Sequence, residues 1–476
     1  MASSLLLSAI LAPLLTAQAQ SYAPLYTFPF VTARPIPYAL TNGSGANPIG
    51  GLLLSSGVFY GACYAGGAGG LGTIFAINTN GTNFHLLHSF TNAPTDGASP
   101  YGGLTISGGT LYGTASGAND GADYGVIFSL STNGTGYSNL YRFTDGTDGA
   151  MPNGNLVLAG SLLYGTTQAS TDGKPNPSPT GGTVFSIATN SQTINTLYTF
   201  QGDPANPVAN STGTGPAAGL ALAGSTLYGT TFEGGTNNYG VIFALNINGS
   251  GFKVLHHFDT NGAMPQCQLI VAGSTLYGLG GTCLFSMNTN GSGFTVLYDF
   301  GATVFYSPIY NPGLVLSGAT LFATGLTAGS NQEGIIFSIA TNGAGYADSH
   351  DYSALNSVQI NGYPYNVNSD GASPNGSLTL ANGRLYGTAA EGGSTGSGLL
   401  FSVVPQPPPL SASRSGTNLL LSTTAFNGFS YTIQQTTNPS VSASWTTFTN
   451  FLGTGVATQF TKSLSAPEMN FRLRQN

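Results

Sequence analysis

The chain has 476 residues, of which only 5% are charged, against about 25% in typical soluble domains, and its formal net charge is −7. Hydrophobic residues still make up 41%, and glycine occurs 70 times. This composition excludes a disordered polyelectrolyte, because a chain with so many apolar residues and so few charges can bury a hydrophobic core. The absence of a basic run argues against nucleic acid and against an anionic membrane surface as partners.

The N-terminal stretch has the features of an export signal. Leu5 to Leu15 form an apolar run that is shorter than the ~20 residues of a membrane span, and Ala17-Gln18-Ala19 fits a small-x-small cleavage site. No Lys or Arg precedes the run. We expect residues 1–19 to be a signal peptide and the protein to be secreted, extracellular or held at the cell surface. We expect no later membrane span and no apolar C-terminal anchor.

Three short phrases recur along the chain in a fixed order. The first has the form Leu-Tyr-Gly, the second ends in Phe, and the third has the form Leu-Tyr-x-Phe. Each is bounded by Gly, Asn, Ser or Pro, which is typical of strands separated by turns. A fourth apolar element precedes each Leu-Tyr-Gly, so one unit holds four strands, which is the signature of a β-propeller blade. The aromatic residues of the first phrase are Tyr60, Tyr112, Tyr164, Tyr228, Tyr277, Phe322 and Tyr386.

The number of copies indicates how the repeats close. The first two phrases occur seven times each, whereas the third occurs six times within the repeats, and its missing copy is Leu25 to Phe28 at the N-terminus. The sequence therefore predicts an all-β fold in which residues 20–404 form a seven-bladed β-propeller. The N-terminal strand would pair with the last blade and remove the exposed edges. A β-solenoid is the alternative, although its coils are usually shorter.

The spacing within the repeats distinguishes two faces. The step from the first strand to Leu-Tyr-Gly and the step from the third strand to the fourth are constant, whereas the other two connections vary in length. In an antiparallel four-stranded blade the constant turns share one end and the variable loops share the other. We expect function on the variable-loop face, because loops on a rigid scaffold commonly carry binding residues. Simple tolerance of insertions is the alternative.

The phrases "LYGTT…EGG…YGVIF…LHHF" and "DGASPYGGL" resemble the Gloeo-Verruco tandem repeat of exported bacterial proteins, over residues 22–404. This resemblance implies a secreted repeat protein, often with a surface-anchoring tail, and it implies no activity.

A second region follows the proline-rich stretch at 405–409, which predicts a stiff linker. Residues 410–476 contain "SGTNLLLS", "YTIQQTTN", "SWTTF", "QFTKSL" and "NFRLRQ", which read as regularly spaced strands of a small β-sandwich. This region is similar to the fibronectin-III-like module that ends many exported verrucomicrobial proteins.

Candidate ligand-binding carboxylates recur in the motif Asp-Gly-Ala-x-Pro. Asp96, Asp148 and Asp370 occupy it, and Asn261 takes the same place in another repeat. These carboxylates either stabilise a local Asx-type turn or form a partial ring near the channel mouth that holds a cation or sugar hydroxyls. A structural calcium is therefore conceivable, but "DGTDGA" lacks the alternating ligands of an EF-hand. We expect no cofactor and no metal centre.

Other candidates lie on the predicted variable loops. Glu233 and Glu391 occur in Glu-Gly-Gly segments and are either turn residues or paired carboxylates of the glycosidase kind. The candidate tyrosines stack on sugar rings or cover the blade tops. They are Tyr101, Tyr124 and Tyr239.

Cys267 and Cys283 fall in one repeat and form either a disulfide or two small buried apolar positions.

The functional hypothesis from sequence is a secreted, monomeric, non-enzymatic binding or scaffold protein. It would recognise a carbohydrate or cell-surface polymer through the variable-loop face, with no catalytic residues. Two alternatives remain open: a protein-interaction or structural role in the cell envelope, and a polysaccharide hydrolase or lyase.

Overall fold

The computed structural model describes residues 22–33, 40–91, 96–117, 124–168, 180–201, 210–216, 218–260, 264–265, 267–301, 313–360, 363–405, 410–415, 418–423, 425, 429–437, 445–455, 458–463 and 470–475. The predicted signal peptide, positions 406–409 of the predicted linker, and Asn261 lie outside the described residues. The chain divides into two compact units. The first, Tyr22–Pro405, is called the repeat unit, and the C-terminal unit contains Gln406–Asn476.

Every regular element in the described part of the repeat unit is a β-strand. The strands are β1 (Tyr22–Thr27), β2 (Thr32–Ala33), β3 (Leu40–Thr41), β4 (Ala46–Ser55), β5 (Val58–Ala65), β6 (Thr73–Asn78), β7 (His85–Ser89), β8 (Thr105–Ser107), β9 (Thr110–Ala115), β10 (Val126–Ser131), β11 (Ser138–Arg142), β12 (Val157–Ala159), β13 (Leu162–Gln168), β14 (Thr180–Ala188), β15 (Ile194–Gln201), β16 (Ala221–Ala223), β17 (Thr226–Thr231), β18 (Val241–Asn246), β19 (Lys253–His257), β20 (Ile270–Ala272), β21 (Thr275–Leu279), β22 (Cys283–Asn288), β23 (Thr295–Asp299), β24 (Leu314–Ser317), β25 (Thr320–Gly325), β26 (Ile335–Ala340), β27 (Ala347–Asp351), β28 (Asn356–Ile360), β29 (Tyr363–Val367), β30 (Ala372–Ala381), β31 (Arg384–Glu391) and β32 (Leu399–Val403).

These strands form seven four-stranded antiparallel sheets within the described residues. Six sheets are continuous in sequence, in the order β4–β7, β8–β11, β12–β15, β16–β19, β20–β23 and β24–β27. The seventh contains β30, β31 and β32 and takes its fourth strand from the N-terminus, where β1 pairs antiparallel with β32. The N-terminal strand therefore occupies the place that the phrase count predicted. Two hairpins, β2–β3 and β28–β29, lie outside these sheets.

The glycine of Leu-Tyr-Gly makes room for the phenylalanine of the neighbouring third strand. Gly229 in β17 is paired with Phe243 in β18. A Cβ atom at Gly229 would lie 2.4 Å from the ring carbon Cζ of Phe243 and 2.9 Å from a methyl group of Leu220. Phe243 is fully buried. The same close approach recurs at Gly61, Gly113, Gly165, Gly278 and Gly387, so the repeated phrase reflects a steric requirement of the core.

Aromatic stacking joins neighbouring sheets at six of their junctions. In the fourth strands, the residue two places before the terminal aromatic stacks on a ring near the start of the next sheet's fourth strand. Six such pairs have ring centroids 3.7 to 4.3 Å apart: Tyr26–Phe84, His88–Tyr137, Tyr198–Phe252, His256–Phe294, Tyr298–Tyr346 and His350–Tyr22. At the remaining junction, Tyr141 and Ile194 pack against one shared core.

The N-terminal strand takes part in two of these junctions. Tyr22 of β1 stacks on His350 of the sixth sheet, and Tyr26 of β1 stacks on Phe84 of the first sheet. β4 of the first sheet also contacts β30 and β31 of the seventh. The first and seventh sheets are therefore neighbours, as are the sixth and seventh.

The predicted Cys267–Cys283 disulfide is not formed, because both thiols are free and buried. Cys267 packs in a core with Leu321 and Phe337 of the sixth sheet, whereas Cys283 packs in a core with Tyr228 and Ile242 of the fourth. The two side chains thus face opposite neighbours of their own sheet. Burial raises the pKa of each thiol to about 12. Cys267 and Cys283 therefore fit the alternative interpretation, in which each is a small side chain buried in a core.

The described part of the C-terminal unit forms two three-stranded antiparallel sheets, β33–β34–β37 and β36–β35–β38. Phe451 and Phe460, from different sheets, have ring centroids 4.7 Å apart, and Tyr431 and Ile433 are fully buried. The strands are β33 (Ser411–Ser415), β34 (Asn418–Thr423), β35 (Ser430–Thr436), β36 (Thr446–Leu452), β37 (Thr458–Ser463) and β38 (Asn470–Gln475).

Candidate functional site

The carboxylate of Asp96 ties the loop before the second sheet to the fourth strand of the first. His88 Nε2 lies 2.9 Å from one carboxylate oxygen, and the N–H and hydroxyl of Thr91 donate to the other at 3.0 and 3.1 Å. The N–H of Gly97 donates at 3.0 Å to the same oxygen that His88 contacts. Burial alone would raise the pKa of Asp96, but the hydrogen bond and charge of His88 and the N–H donors outweigh it and lower the pKa.

The other two Asp-Gly-Ala aspartates make the same kind of contact, which we call the Asp–Gly clasp. Asp148 accepts from the Tyr141 hydroxyl at 3.0 Å and from the N–H and hydroxyl of Thr144 at 2.9 and 2.6 Å. Asp370 lies 3.1 Å from His350 Nε2 and accepts from the N–H of Ser353 at 3.0 Å. The three carboxylates therefore point to fourth strands and are already hydrogen-bonded. Ligand binding by them as a ring at a channel mouth would require these bonds to break.

We expect Asp96→Asn to lower the free energy of unfolding at pH 7 by about 2 kcal/mol. The neutral amide replaces a charged carboxylate, so the hydrogen bonds that Asp96 accepts are weakened or lost. The folded-state pKa of Asp96 is lowered, so its stabilisation is present above the unfolded-state pKa and is lost as the pH falls through the folded-state value. Denaturant midpoints of Asp96→Asn and of the unmodified protein should therefore converge in acid. Asp299→Asn, at an exposed position, is the control, and a gap that persists in acid would contradict the clasp.

Tyr124 and Tyr239 contribute their main chains to the junctions between sheets. Their carbonyls accept hydrogen bonds at 2.9 Å from the N–H groups of Met151 and Met264, each in the loop that enters the next sheet. Both methionines have left-handed backbone, with φ of 56°, a conformation that costs energy in a non-glycine residue. The rings of Tyr124 and Tyr239 are half-buried against cores, which agrees with the alternative that they cover the blade tops.

The two predicted loop glutamates are not brought together as a pair. The main chain of Glu233 forms two hydrogen bonds with Thr214. The charge of Glu391 instead affects the pKa of Glu333, a residue that the sequence analysis did not select. Burial raises the pKa of Glu333, the N–H of Leu355 opposes this, and the charge of Glu391 raises the pKa further. Glu333 precedes Gly334 as Tyr124 and Tyr239 precede their glycines, so its repeat position was a usable signal.

Two tyrosines form an aromatic pair on the variable-loop face. Tyr64 is the last residue but one of β5, the second strand of the first sheet, and Tyr101 lies in the loop before β8, the first strand of the second sheet. Their ring centroids are 4.9 Å apart in an edge-to-face arrangement. Both side chains are half-buried, so part of each ring faces outward. Of the three predicted stacking tyrosines, Tyr101 has this placement.

An amide pair lies next to the tyrosines. Asn153 occupies in the third sheet the position that Tyr101 has in the second, and its Nδ2 donates to Oε1 of Gln168 at 2.9 Å. The neighbouring residues Gly102 and Gly154 touch, since a Cβ atom at Gly102 would lie 2.8 Å from the Gly154 carbonyl oxygen. Tyr64, Tyr101, Asn153 and Gln168 are all half-buried, and these four residues are here called the tyrosine–amide rim.

Backbone groups of different sheets approach one another closely at several glycines. Gly154 approaches Ala218, and Gly376 of the seventh sheet approaches Gly51 of the first, at distances where an added Cβ would clash. A side-chain hydrogen bond also joins residues that lie just before two different sheets: Asn155 Nδ2 donates to Gln268 Oε1 at 3.0 Å. Sequence reasoning missed Tyr64, Asn153 and Gln168 because they lie outside the repeated phrases.

No group of three or more His, Cys, Asp or Glu side chains in the described ranges is arranged to hold a metal ion. Nor does the described part of the chain contain an apolar helix long enough to cross a membrane.

The sequence profile of a known family matches most of the repeat unit. The Gloeobacter/Verrucomicrobia repeat matches residues 16–215 and 206–365, which together exceed half of the chain. No curated protein matches the sequence.

Many solved structures resemble this chain at low sequence identity. An oligogalacturonate lyase of Vibrio parahaemolyticus is 10% identical, with a TM-score of 0.49 over 82% of this chain and 94% of that one. A puromycin hydrolase is 11% identical, with a TM-score of 0.48 over 84% of this chain and 62% of that one. A chain of a nidogen/laminin complex is 17% identical, with a TM-score of 0.35 over 53% and 79%. At these values none of the three assigns an activity to this chain.

Proposed function

Because this chain belongs to the Gloeobacter/Verrucomicrobia repeat family, we propose that it is an exported, monomeric binding protein that holds a carbohydrate or cell-surface polymer at the variable-loop face of its repeat unit. The resemblance of the repeats to exported bacterial proteins and the N-terminal signal pattern support export.

The repeat unit closes, in this proposal, as a seven-bladed β-propeller. Three contacts support closure: β1 pairs with β32, Tyr22 stacks on His350, and Tyr26 stacks on Phe84. Each joins the N-terminal strand to a different sheet. A closed ring would leave the loop face as a rigid platform.

The tyrosine–amide rim is the observation that carries the proposal. Partly exposed tyrosine rings offer flat apolar faces to sugar rings. The Asn153 and Gln168 side chains offer hydroxyl groups the amide N–H donors that their mutual bond does not use, whereas Asn153 Oδ1 is buried. The Asp–Gly clasps, in contrast, use the chain's repeated aspartates for internal bonds. The rim therefore has the uncharged, aromatic and amide chemistry that suits a neutral glycan.

The test is binding of the full chain to a panel of neutral glycans, with and without calcium. We expect Tyr101→Ala to weaken binding by about tenfold, the loss of ~1.4 kcal/mol that one stacked aromatic can supply. Tyr141→Phe is the control, because its hydroxyl serves a clasp away from the rim. Binding that is unchanged in both Tyr101→Ala and Asn153→Ala would overturn the rim as the site.

One observation favours a second candidate, a polysaccharide hydrolase or lyase. Glu333 and Glu391 interact electrostatically, and a raised pKa of the kind found at Glu333 is what a general acid requires. Release of reducing ends or unsaturated products from the same panel would favour this candidate. Silence across the panel would favour the protein-interaction or envelope role.

A further inference from the structure

Positive charge is concentrated in the C-terminal region. Positions 410–476 contain four of the nine basic residues of the chain and one of its 16 acidic residues, giving a formal charge of +3. Positions 1–409 hold the other five basic and 15 acidic residues, giving −10. An anionic polymer would be repelled by positions 1–409 and attracted by positions 410–476.

One face of the sheet β36–β35–β38 is polar and carries two of these cations. Gln434 is paired with both Thr447 and Arg472, and Thr432 is paired with both Asn450 and Arg474. Directly paired residues project to the same side of a sheet, so these side chains share a face. Thr447, Asn450 and Arg474 are exposed. The other face carries the buried Tyr431 and Ile433.

The guanidinium of Arg472 is held in place by two contacts. Its Cζ lies 4.3 Å from the centre of the Trp445 ring, and its Nε donates to Gln434 Oε1 at 2.8 Å. Stacking and a bonded Nε leave the two terminal NH₂ groups of the plane for a bidentate contact, the geometry that matches a carboxylate. The side chain is therefore ordered before any ligand arrives, which lowers the entropy cost of binding.

Arg474 supplies a second cation two residues along the same strand, which places its Cα about 7 Å from that of Arg472. Burial and then the charge of Arg474 lower the pKa of Arg472, which means that the two guanidinium groups repel each other. The one acidic residue of positions 410–476, Glu468, lies outside the described residues. A ligand with regularly spaced negative charges would relieve this repulsion.

We propose that the face formed by Trp445, Gln434, Asn450, Arg472 and Arg474 binds an anionic polysaccharide that carries carboxylate groups. The guanidinium groups hold the carboxylates, and the indole edge and the Thr447 and Asn450 side chains contact the sugar. Two cations are too few to neutralise the phosphates of a nucleic acid duplex, whose affinity depends on many such contacts. This site is separate from the tyrosine–amide rim and does not rest on it.

The test measures binding of the full chain to alginate, with dextran as the uncharged reference, at low salt and without calcium. We expect binding to alginate and not to dextran, and a loss of at least tenfold in the double variant Arg472→Gln/Arg474→Gln. Arg472→Lys keeps the charge but loses the planar fork, so an intermediate loss is expected. Lys462→Gln is the matched control, because Lys462 belongs to β37 of the other sheet, with its Nζ 5.2 Å from the Phe448 ring centre.

Three outcomes would overturn the inference: alginate affinity that the double variant retains, an equal loss in Lys462→Gln, or equally tight binding of duplex DNA. Thermal unfolding of each variant separates a lost contact from a lost fold. Tyr101→Ala distinguishes the two sites. If it abolishes alginate binding while the arginine double variant retains it, the polymer is held at the rim, and the rim proposal stands while this one fails.

Discussion

Replacing Gly229 by alanine is expected to destabilise the repeat unit by about 3 kcal/mol, at the upper end of the cost of overpacking a core. The new Cβ would lie 2.4 Å from Cζ and 2.8 Å from Cε1 of Phe243, which is fully buried and cannot swing away. The measurement is the denaturant midpoint of the full chain. A variant with both Gly229→Ala and Phe243→Leu should recover part of the loss, because the smaller side chain removes the clash.

The chain offers two controls for this prediction. Gly43 has no atom within 4 Å of an added Cβ, so Gly43→Ala should change the midpoint little. The sixth repeat has alanine, Ala323, paired with Phe337 at the corresponding place, so Ala323→Gly should cost no more than the ~1 kcal/mol of added chain entropy. If Gly229→Ala behaves like Gly43→Ala, steric exclusion does not explain the glycine of the repeat.

The sheets could be predicted from the sequence because second and third strands are buried throughout. In β17 and β18 nearly every residue is inaccessible, so each phrase has to be apolar, small or aromatic at fixed places. The N-terminal strand was predictable for the same reason, since Phe28 fills the position that Phe90 fills in the first sheet. Both are fully buried.

The hydrogen-bonding role of the three Asp-Gly-Ala aspartates was not predicted, although the sequence contained a signal for it. Thr91, Thr144 and Ser353 follow the terminal aromatic of a fourth strand in the three repeats that have Asp before the glycine, and each bonds to that carboxylate. Other repeats lack both the hydroxyl and the aspartate. Comparing repeats for paired changes would have revealed the clasp, whereas the motif taken alone suggested a ligand site.

In two other repeats, Asn42 and Asn210 make a similar connection between sheets with a side-chain amide in place of the carboxylate. Each lies three residues before the corresponding glycine, and its Nδ2 bonds to the main chain that follows the fourth strand of the preceding sheet, at Pro29 and Gln201. The rim residues could not be found in this way. Tyr64 and Gln168 occupy equivalent positions of their strands but differ chemically, so no repeated pattern connects them. Tyr64 contacts Tyr101 of the next sheet, whereas Gln168 bonds to Asn153 of its own sheet.

Replacing Phe28 by alanine is expected to lower the free energy of unfolding by about 4 kcal/mol, the usual cost of removing a buried aromatic ring. Phe28 is fully buried, its ring centroid lies 5.5 Å from that of Phe75 in the first sheet, and its N–H donates to the Gly398 carbonyl at 3.1 Å. The ring thus contacts the first sheet, while the main chain of Phe28 bonds to the residue before β32 of the seventh. Denaturant midpoints and amide hydrogen exchange across β32 measure the effect, because loss of β1 would expose the edge of β32.

Phe90→Ala is the matched variant, since Phe90 occupies the same position in a sheet that is continuous in sequence and packs on Phe128 at 5.6 Å. Equal losses in the two variants would mean that the strand from the N-terminus holds its sheet as firmly as a covalently contiguous one, as closure requires. Pro24→Ala, at an exposed position of β1, should have little effect. A much smaller loss in Phe28→Ala than in Phe90→Ala, with rapid exchange in β32, would mean that β1 detaches readily and that the ring is open.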